Sequence, residues 1–364
     1  MKYAEELKPL RAVIKVIGLG GAGGNAVNRM AAAGLQDVEL IAANTDAQHL
    51  RDSKAAVRLQ IGENLTEGLG VGGDPSKGRL AALESRDHLI EVLTGSHLVF
   101  VTAGMGGGTG TGVAPIAAQV ARELNALTVG VVTRPFRFEG QQRASYAEAG
   151  IKELRTCVDT LLVIPNDRVF EVSDQATPSH EAYRMVDDVL RQAVQAISDV
   201  ITRPGHINMD LNDLKAVMVN AGDAVMGVGE SLGANRAVEA ARNAIESRLL
   251  ENASIEGASG LMVNIVGNRS VTMDEVRQAM DFITRTAQPD ARIKFGQVYD
   301  EGLDDRLRIT VIATGFPTHR RLGGRLPQRA GGRPLPREAA GPAPAGLDEW
   351  SKPAYLRMQP KKLR

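Results

Sequence analysis

The sequence predicts an α/β protein. A parallel sheet covered on both faces is joined by a long core helix to a second, smaller α/β domain, and a disordered tail follows. Three observations carry this. Short Val/Ile/Leu runs alternate with helix-period segments through the first half, as strands buried on both faces do. From Ser179 to Ile201 apolar residues keep helical spacing without a break. From Pro317 onward Pro, Gly, Arg and Ala dominate with no apolar period, a composition that cannot bury enough surface to offset ordering.

The elements follow in order. Val13–Ile17 reads as a strand, and Asn25–Ala33 as a helix closed by Gly34. Val38–Ala43 is a strand. Asp74-Pro75 is a start signal for a helix over Ser76–Leu93. Leu98–Thr102, Thr128–Thr133 and Thr160–Ile164 are strands, with helices over 113–124 and 140–155 between them. The long helix carries a stripe of Met185, Val186, Val189, Leu190, Ala193, Val194, Ile197 and Val200, and ends at Thr202-Arg203-Pro204-Gly205. Beyond it, strands are expected near 215–220, 261–266, 292–298 and 307–313, and helices near 235–249 and 273–286. The organisation expected is an extension over 1–11, a first domain over 12–178, the helix over 179–203 and a second domain over 204–316. A basic linker over 317–346 and a terminal peptide over 347–364 complete it.

The formal net charge of zero hides an asymmetry: from Pro317 onward 11 Lys/Arg face 3 Asp/Glu, or +8, which leaves −8 on the rest. The single cysteine, Cys157, excludes an intrachain disulfide and a cysteine metal site. No run of 18 apolar residues and no signal-peptide core occurs, so a cytoplasmic protein without its own membrane anchor is expected.

Two glycine-rich segments follow strands. Gly18-Leu-Gly20-Gly21-Ala22-Gly23-Gly24-Asn25 satisfies G-x-G-x-x-G, and Glu39, near the next strand's end, suits the ribose acid of a dinucleotide site. A nicotinamide or flavin oxidoreductase is open on this loop alone. The second segment, Gly104-Met-Gly-Gly-Gly-Thr-Gly-Thr-Gly112, sits between a strand and a helix, where bare backbone N–H groups and a helix N-terminus can meet phosphate oxygens. A dinucleotide site has no ordinary need of it. Each hydrogen bond to a charged group is worth roughly 1.5–3 kcal/mol, so two such loops can hold a triphosphate without a lysine. The chain has no Gly-Lys dipeptide and hence no Walker A loop.

GGGTGTG at 106–112 resembles the signature phosphate loop of the tubulin/FtsZ superfamily. GGAGGNAV at 20–27, NTDAQ at 44–48, GLGVGGDP at 68–75, RPFRFEG at 134–140, IPND at 164–167 and ITRPGHINMDLNDL at 201–214 extend the likeness over about 12–316, on the bacterial side of the superfamily. The resemblance implies a tubulin-like GTPase fold and GTP/GDP as ligand, with Mg2+ carried on the phosphates and no metal site made by protein alone. Gly21, Ala22, Gly23, Gly24, Asn25, Gly108, Thr109 and Gly110 match phosphate-contacting positions. Glu139 and Arg143 match ribose and phosphate positions, Asn166 and Asp187 match guanine-reading positions, and Tyr183 matches an aromatic stacked on the base. A carboxylate such as Asp187 can accept from both N1–H and N2–H of guanine, which adenine cannot offer. From the residues alone, Glu139 and Arg143 read sooner as a surface i,i+4 ion pair, and Tyr183 as core.

Asn208, Asp210 and Asp213 match the family's catalytic loop, although from spacing alone Asp210 and Asp213 read as a helix N-cap and its N3 acid. From Asp187 to Arg203 is 16 residues of helix, roughly 24 Å. If Asp187 holds the base, the two acids reach a nucleotide only on another subunit. The resemblance therefore implies head-to-tail filaments of this chain, assembled into a division ring, with GTP hydrolysed in trans and stimulated by assembly. A GTP-binding polymer with little hydrolysis is the alternative. The tail segment with Trp350, Pro353, Tyr355, Leu356 and Arg357 resembles the family's adaptor-binding peptide, with Ser351-Lys352 departing from its pattern. The tail's Arg and Lys residues are open to anionic lipid or nucleic acid or to plain solvation; no specific nucleic-acid partner is implied.

Overall fold

The computed structural model describes residues 12–316 apart from 36, 173–176, 204, 248–254 and 256. The expected extension over 1–11, linker and terminal peptide, with Trp350, Pro353, Tyr355, Leu356 and Arg357, lie outside the described residues.

Eleven strands form one sheet: β1 (Ile14–Leu19), β2 (Val38–Asn44), β3 (Val57–Gln60), β4 (Leu98–Gly104), β5 (Leu127–Arg134), β6 (Thr160–Pro165), β7 (Gly205–Ile207), β8 (Gly222–Leu232), β9 (Gly260–Gly267), β10 (Arg292–Tyr299) and β11 (Arg306–Thr314). Their order is β3-β2-β1-β4-β5-β6-β8-β11-β9-β10-β7. The first six strands are parallel throughout. β8 continues them in parallel over Gly222–Ala224 and then pairs antiparallel with β11, which makes the second half of the sheet mixed. The helices are α1 (Gly20–Ala32), α2 (Ala47–Arg51), α3 (Glu63–Thr66), α4 (Pro75–Glu84), α5 (Arg86–Leu93), α6 (Gly108–Glu123), α7 (Gln141–Cys157), α8 (Val169–Val172), α9 (Ser179–Thr202), α10 (Leu211–Met218), α11 (Arg236–Ile245) and α12 (Met273–Thr286).

Successive side chains of a strand point to opposite faces, and here both faces are dry. In β4, Leu98 and Phe100 join one cluster with Val27 and Met30 of α1 and Leu190, Ala193 and Ile197 of α9. Val99 and Val101 join the other, with Val113 and Ala117 of α6 and Leu154 of α7. The α9 stripe also meets Met262 and Ile312 of the second half of the sheet, so one helix packs under both halves. A third cluster packs the alanines of α11 on β9 and β11.

Four expectations change. The strand expected near 215–220 is helix: an apolar run alone does not separate a buried strand from a helix, and Asp210 caps α10 by accepting from Asp213 N at 2.7 Å. The strand lies later, as the glycine-interrupted β8. The helix expected over Ser76–Leu93 breaks at Ser85, whose Oγ accepts from Gly62 N at 2.8 Å. Both glycine segments enter helix early, with α1 starting at Gly20 and α6 at Gly108, so the glycines form first turns rather than preceding loops.

Candidate functional site

The strand order 3-2-1-4-5-6 reverses between β1 and β4, and in such sheets ligands bind in the crevice beyond the carboxyl ends of the strands at that reversal. A cavity of about 400 Å³ opens there, walled by the last residues of β1 and β4, Leu19 and Gly104. Gly21, Ala22, Asn25, Gly108, Thr109, Gly110, Glu139, Arg143, Asn166, Tyr183 and Asp187 all line it, as do Met105, Thr133 and Pro135, which the sequence did not single out. Gly23 and Gly24 are buried and are not among the lining residues; a Cβ on Gly23 would lie 2.5 Å from Thr102 O, so this glycine serves helix–strand packing.

The N-termini of α1 and α6 face the cavity. Neither has a side-chain cap, and neither has an acid in its first turn. Their leading N–H groups and the positive ends of their dipoles are therefore left for an anion. The glycines divide by task. A Cβ on Gly112 would sit 2.3 Å from Pro75 O, so that glycine lets α4 approach α6. A Cβ on Gly107 would meet nothing within 4 Å, so that glycine leaves the approach clear for a ligand. Thr45 Oγ1 and Thr109 Oγ1, 2.6 Å apart, tie the end of β2 to α6. A second cavity, of about 470 Å³, shares Gly107, Glu139 and Arg143 and extends between Gly72, Gly73 and Asp74 and the Gln142 and Tyr146 side of α7.

The far end of the first cavity belongs to α9. Asp187 Oδ2 lies 3.4 Å from Arg29 Nε of α1. Burial pushes the Asp187 carboxyl up to about 6, against the pull of Arg29. Asn166 Oδ1 is buried without a hydrogen-bond partner among the described residues, an acceptor open to a ligand. Tyr183, 47% exposed, meets Phe136 edge-on with centroids 5.4 Å apart, so it is not core. Glu139 Oε1 accepts from Phe136 N at 2.8 Å, and its Oε2 pairs with Arg143 Nη1 at 3.0 Å. The i,i+4 pair and the cavity wall are thus the same two side chains.

Glu39 corrects the dinucleotide alternative. It is the second residue of β2, opposite Lys15 in register, with Lys15 Nζ 3.3 Å from its Oε2. That is the amino end of the strand, away from the cavity, so Glu39 does not stand where a dinucleotide's ribose acid would.

The structure does not bring Asn208, Asp210 or Asp213 to the cavity. Met209 N donates to Val200 O at 3.3 Å, which fastens their loop to the other end of α9. Val200 is 13 residues beyond Asp187 on one unbroken helix, about 20 Å at the usual rise. Asp210 is exposed, and Asp213 Oδ1 lies 2.5 Å from Lys294 Nζ of β10, a contact across 81 residues of chain that no local pattern signals. Among the described residues no group of three or more His, Cys, Asp or Glu could hold a metal ion, and no helix is long and apolar enough to cross a membrane.

A cavity beyond the carboxyl ends of the strands, with two uncapped helix N-termini at one end and, at the other, a partly buried carboxylate and a buried amide oxygen without a partner among the described residues, defines a nucleoside-polyphosphate binder of the doubly wound α/β class. Residues 13–174 match the Tubulin/FtsZ family, GTPase domain, and residues 222–317 match the FtsZ family, C-terminal domain. The chain is similar to an empty FtsZ dimer from M. jannaschii, with a TM-score of 0.82 and 41% identity over 85% of this chain and 90% of that one. A mutant FtsZ from M. jannaschii gives 0.81 and 40% over 86% and 93%. CetZ2 from Haloferax volcanii, a GTPγS-bound protofilament, gives 0.72 over 85% and 95% at 20% identity, a likeness of fold alone. The chain belongs to the tubulin/FtsZ family, with that family's GTPase domain followed by the FtsZ C-terminal domain.

Proposed function

We propose that this protein is a GTP-dependent filament former of the cytoplasmic division ring, and that it hydrolyses GTP only at the junction between subunits. Gly21, Ala22, Asn25, Gly108, Thr109 and Gly110 hold the phosphates by their backbone, Glu139 and Arg143 the ribose side, and Asp187, Asn166 and Tyr183 the guanine. Magnesium would enter on the β and γ phosphates, since among the described residues no carboxylate cluster could hold it. Asp210 and Asp213, with Asn208 beside them, orient the attacking water in the site of the next subunit.

One observation carries the reading. The acids and the nucleotide cavity sit at opposite ends of α9, so one molecule cannot bring them together. A contact of one end with the other end of the next copy is heterologous, and a heterologous contact that does not close by rotation yields an open filament. The terminal peptide around Trp350 and Tyr355 would recruit membrane-tethering adaptors.

The test is GTP turnover per molecule against protein concentration, with D213N beside the parent chain. Turnover should rise steeply as subunits assemble. D213N should bind GDP normally and lose about 100-fold in turnover, the usual reach of a positioned acid or base. A flat concentration dependence would sink the intersubunit site. Assembly without measurable turnover in the parent chain would point instead to a structural polymer.

A further inference from the structure

Lys294 has no part in the nucleotide cavity. It lies on β10, in register with Met262 of β9, and reaches back across 81 residues of chain to Asp213 Oδ1 at 2.5 Å. The side chains are 38% and 37% exposed. An ion pair this open adds little to stability. Asp210 Oδ1 accepts from Asp213 N at 2.7 Å in the same place. Two carboxylates and one ammonium from α10 and β10 thus form a connected surface group, formally −1 where the acids alone would be −2.

We propose that Lys294 is a positioning residue for hydrolysis in the neighbouring subunit: it fixes the Asp213 carboxylate in one orientation and carries a positive charge into the junction beside the acid pair. This rests on the reading that the loop completes the next subunit's site. Two carboxylates brought onto a triphosphate repel it, and an adjacent ammonium offsets that repulsion. A carboxylate that orients water must also hold its direction. In the reaction the water oxygen bonds to the γ-phosphorus, and the bridging P–O bond breaks with its electron pair passing to GDP. One water proton stays on the phosphate formed and the other goes to solvent.

The experiment compares K294M, K294R, D213N and D213N/K294M in the full chain. It reads GTP turnover per sedimented subunit and GDP affinity of unassembled subunits. K294M should lose at least about tenfold in turnover, as misplaced catalytic groups do, with GDP affinity unchanged because the cavity is remote. K294R should restore most of the loss, and K294M should add nothing in the D213N background. Full turnover in K294M polymer overturns the inference, as does a loss that adds to that of D213N. If K294M does not polymerise alone, it is co-sedimented with parent chain, where turnover should fall in proportion to the variant fraction; unchanged turnover, or exclusion of folded K294M from the polymer, overturns the proposal. Full turnover in D213N would instead remove the underlying reading of the loop, whereas loss in D213N beside intact K294M removes only the role of Lys294.

Discussion

Asp187→Asn should make the empty protein more stable and its ligand weaker. The carboxyl is raised from 3.8 to about 6 because its burial costs more than Arg29 returns. At about 1.36 kcal/mol per pH unit, ionised Asp187 therefore costs the nucleotide-free fold about 3 kcal/mol at pH 7.5. The folded value lies above the unfolded one, so the folded state holds the proton more tightly. The penalty is absent below 3.8, where both states are protonated, grows as the pH rises towards about 6 and is complete above it. Asparagine imitates the protonated form. The pairing lost to Arg29 is already contained in the shift, because neutral Asp187 forfeits it too. Calorimetry without nucleotide should show D187N melting higher by roughly 6 °C at pH 7.5, an advantage that falls to about half at pH 5. GDP titration should show the opposite sign. Replacing one of two charge-assisted acceptors, each worth roughly 1.5–3 kcal/mol, weakens binding by at least about tenfold. A D187N protein no more stable than its parent at pH 7.5 refutes the burial argument. Unchanged GDP affinity refutes the placement of guanine against α9.

Two further perturbations separate packing from function. Gly107→Ala, at φ −88° and ψ 177° with no neighbour within 4 Å of the new methyl, should melt within about 1 °C of the parent but bind GDP at least about tenfold more weakly. Gly112→Ala, whose methyl would fall 2.3 Å from Pro75 O, should lose about 3 kcal/mol of stability; equal melting temperatures for the two variants would contradict this division. Arg236→Ala should cost about 3 kcal/mol at neutral pH, because Arg236, 7% exposed, makes bonds of 2.6 and 3.2 Å to Glu275 and its loss removes that carboxylate's cation and leaves it only the Thr272 donors. Arg236 holds the Glu275 carboxyl below its usual range, so the deficit in urea midpoint should shrink as the pH falls and Glu275 is protonated.

The residues that line the cavity between α1, α6 and α9 were legible in the sequence because their pattern is local. A glycine segment after each of two strands and a carboxylate on a long apolar-striped helix can be read without knowing the fold. Where the sequence misled, two local signals competed. Glycine's poor helix propensity pushed the expected starts of α1 and α6 downstream, although close backbone approach is what places glycine in those first turns. The apolar run at 214–219 suited either a strand or a helix, and the Asp210 cap favoured the helix. Glu39 passed for a ribose acid because its end of β2 depends on register with β1. The Lys294–Asp213 pair was invisible, since only the folded sheet brings β10 beside α10.

Helix α9 is also a gauge. One residue inserted between Asp187 and Val200 would turn one end by about 100° against the other and lengthen the span by about 1.5 Å, which on the proposed function would aim the acids past the neighbouring phosphates. Seven inserted residues would bring the facing back to within about 20° while stretching the span by about 10 Å. On the proposed intersubunit reaction, substitution along the exposed side of this helix is therefore far freer than any change in its length, and the helix would set the longitudinal repeat at which copies could stack and still react.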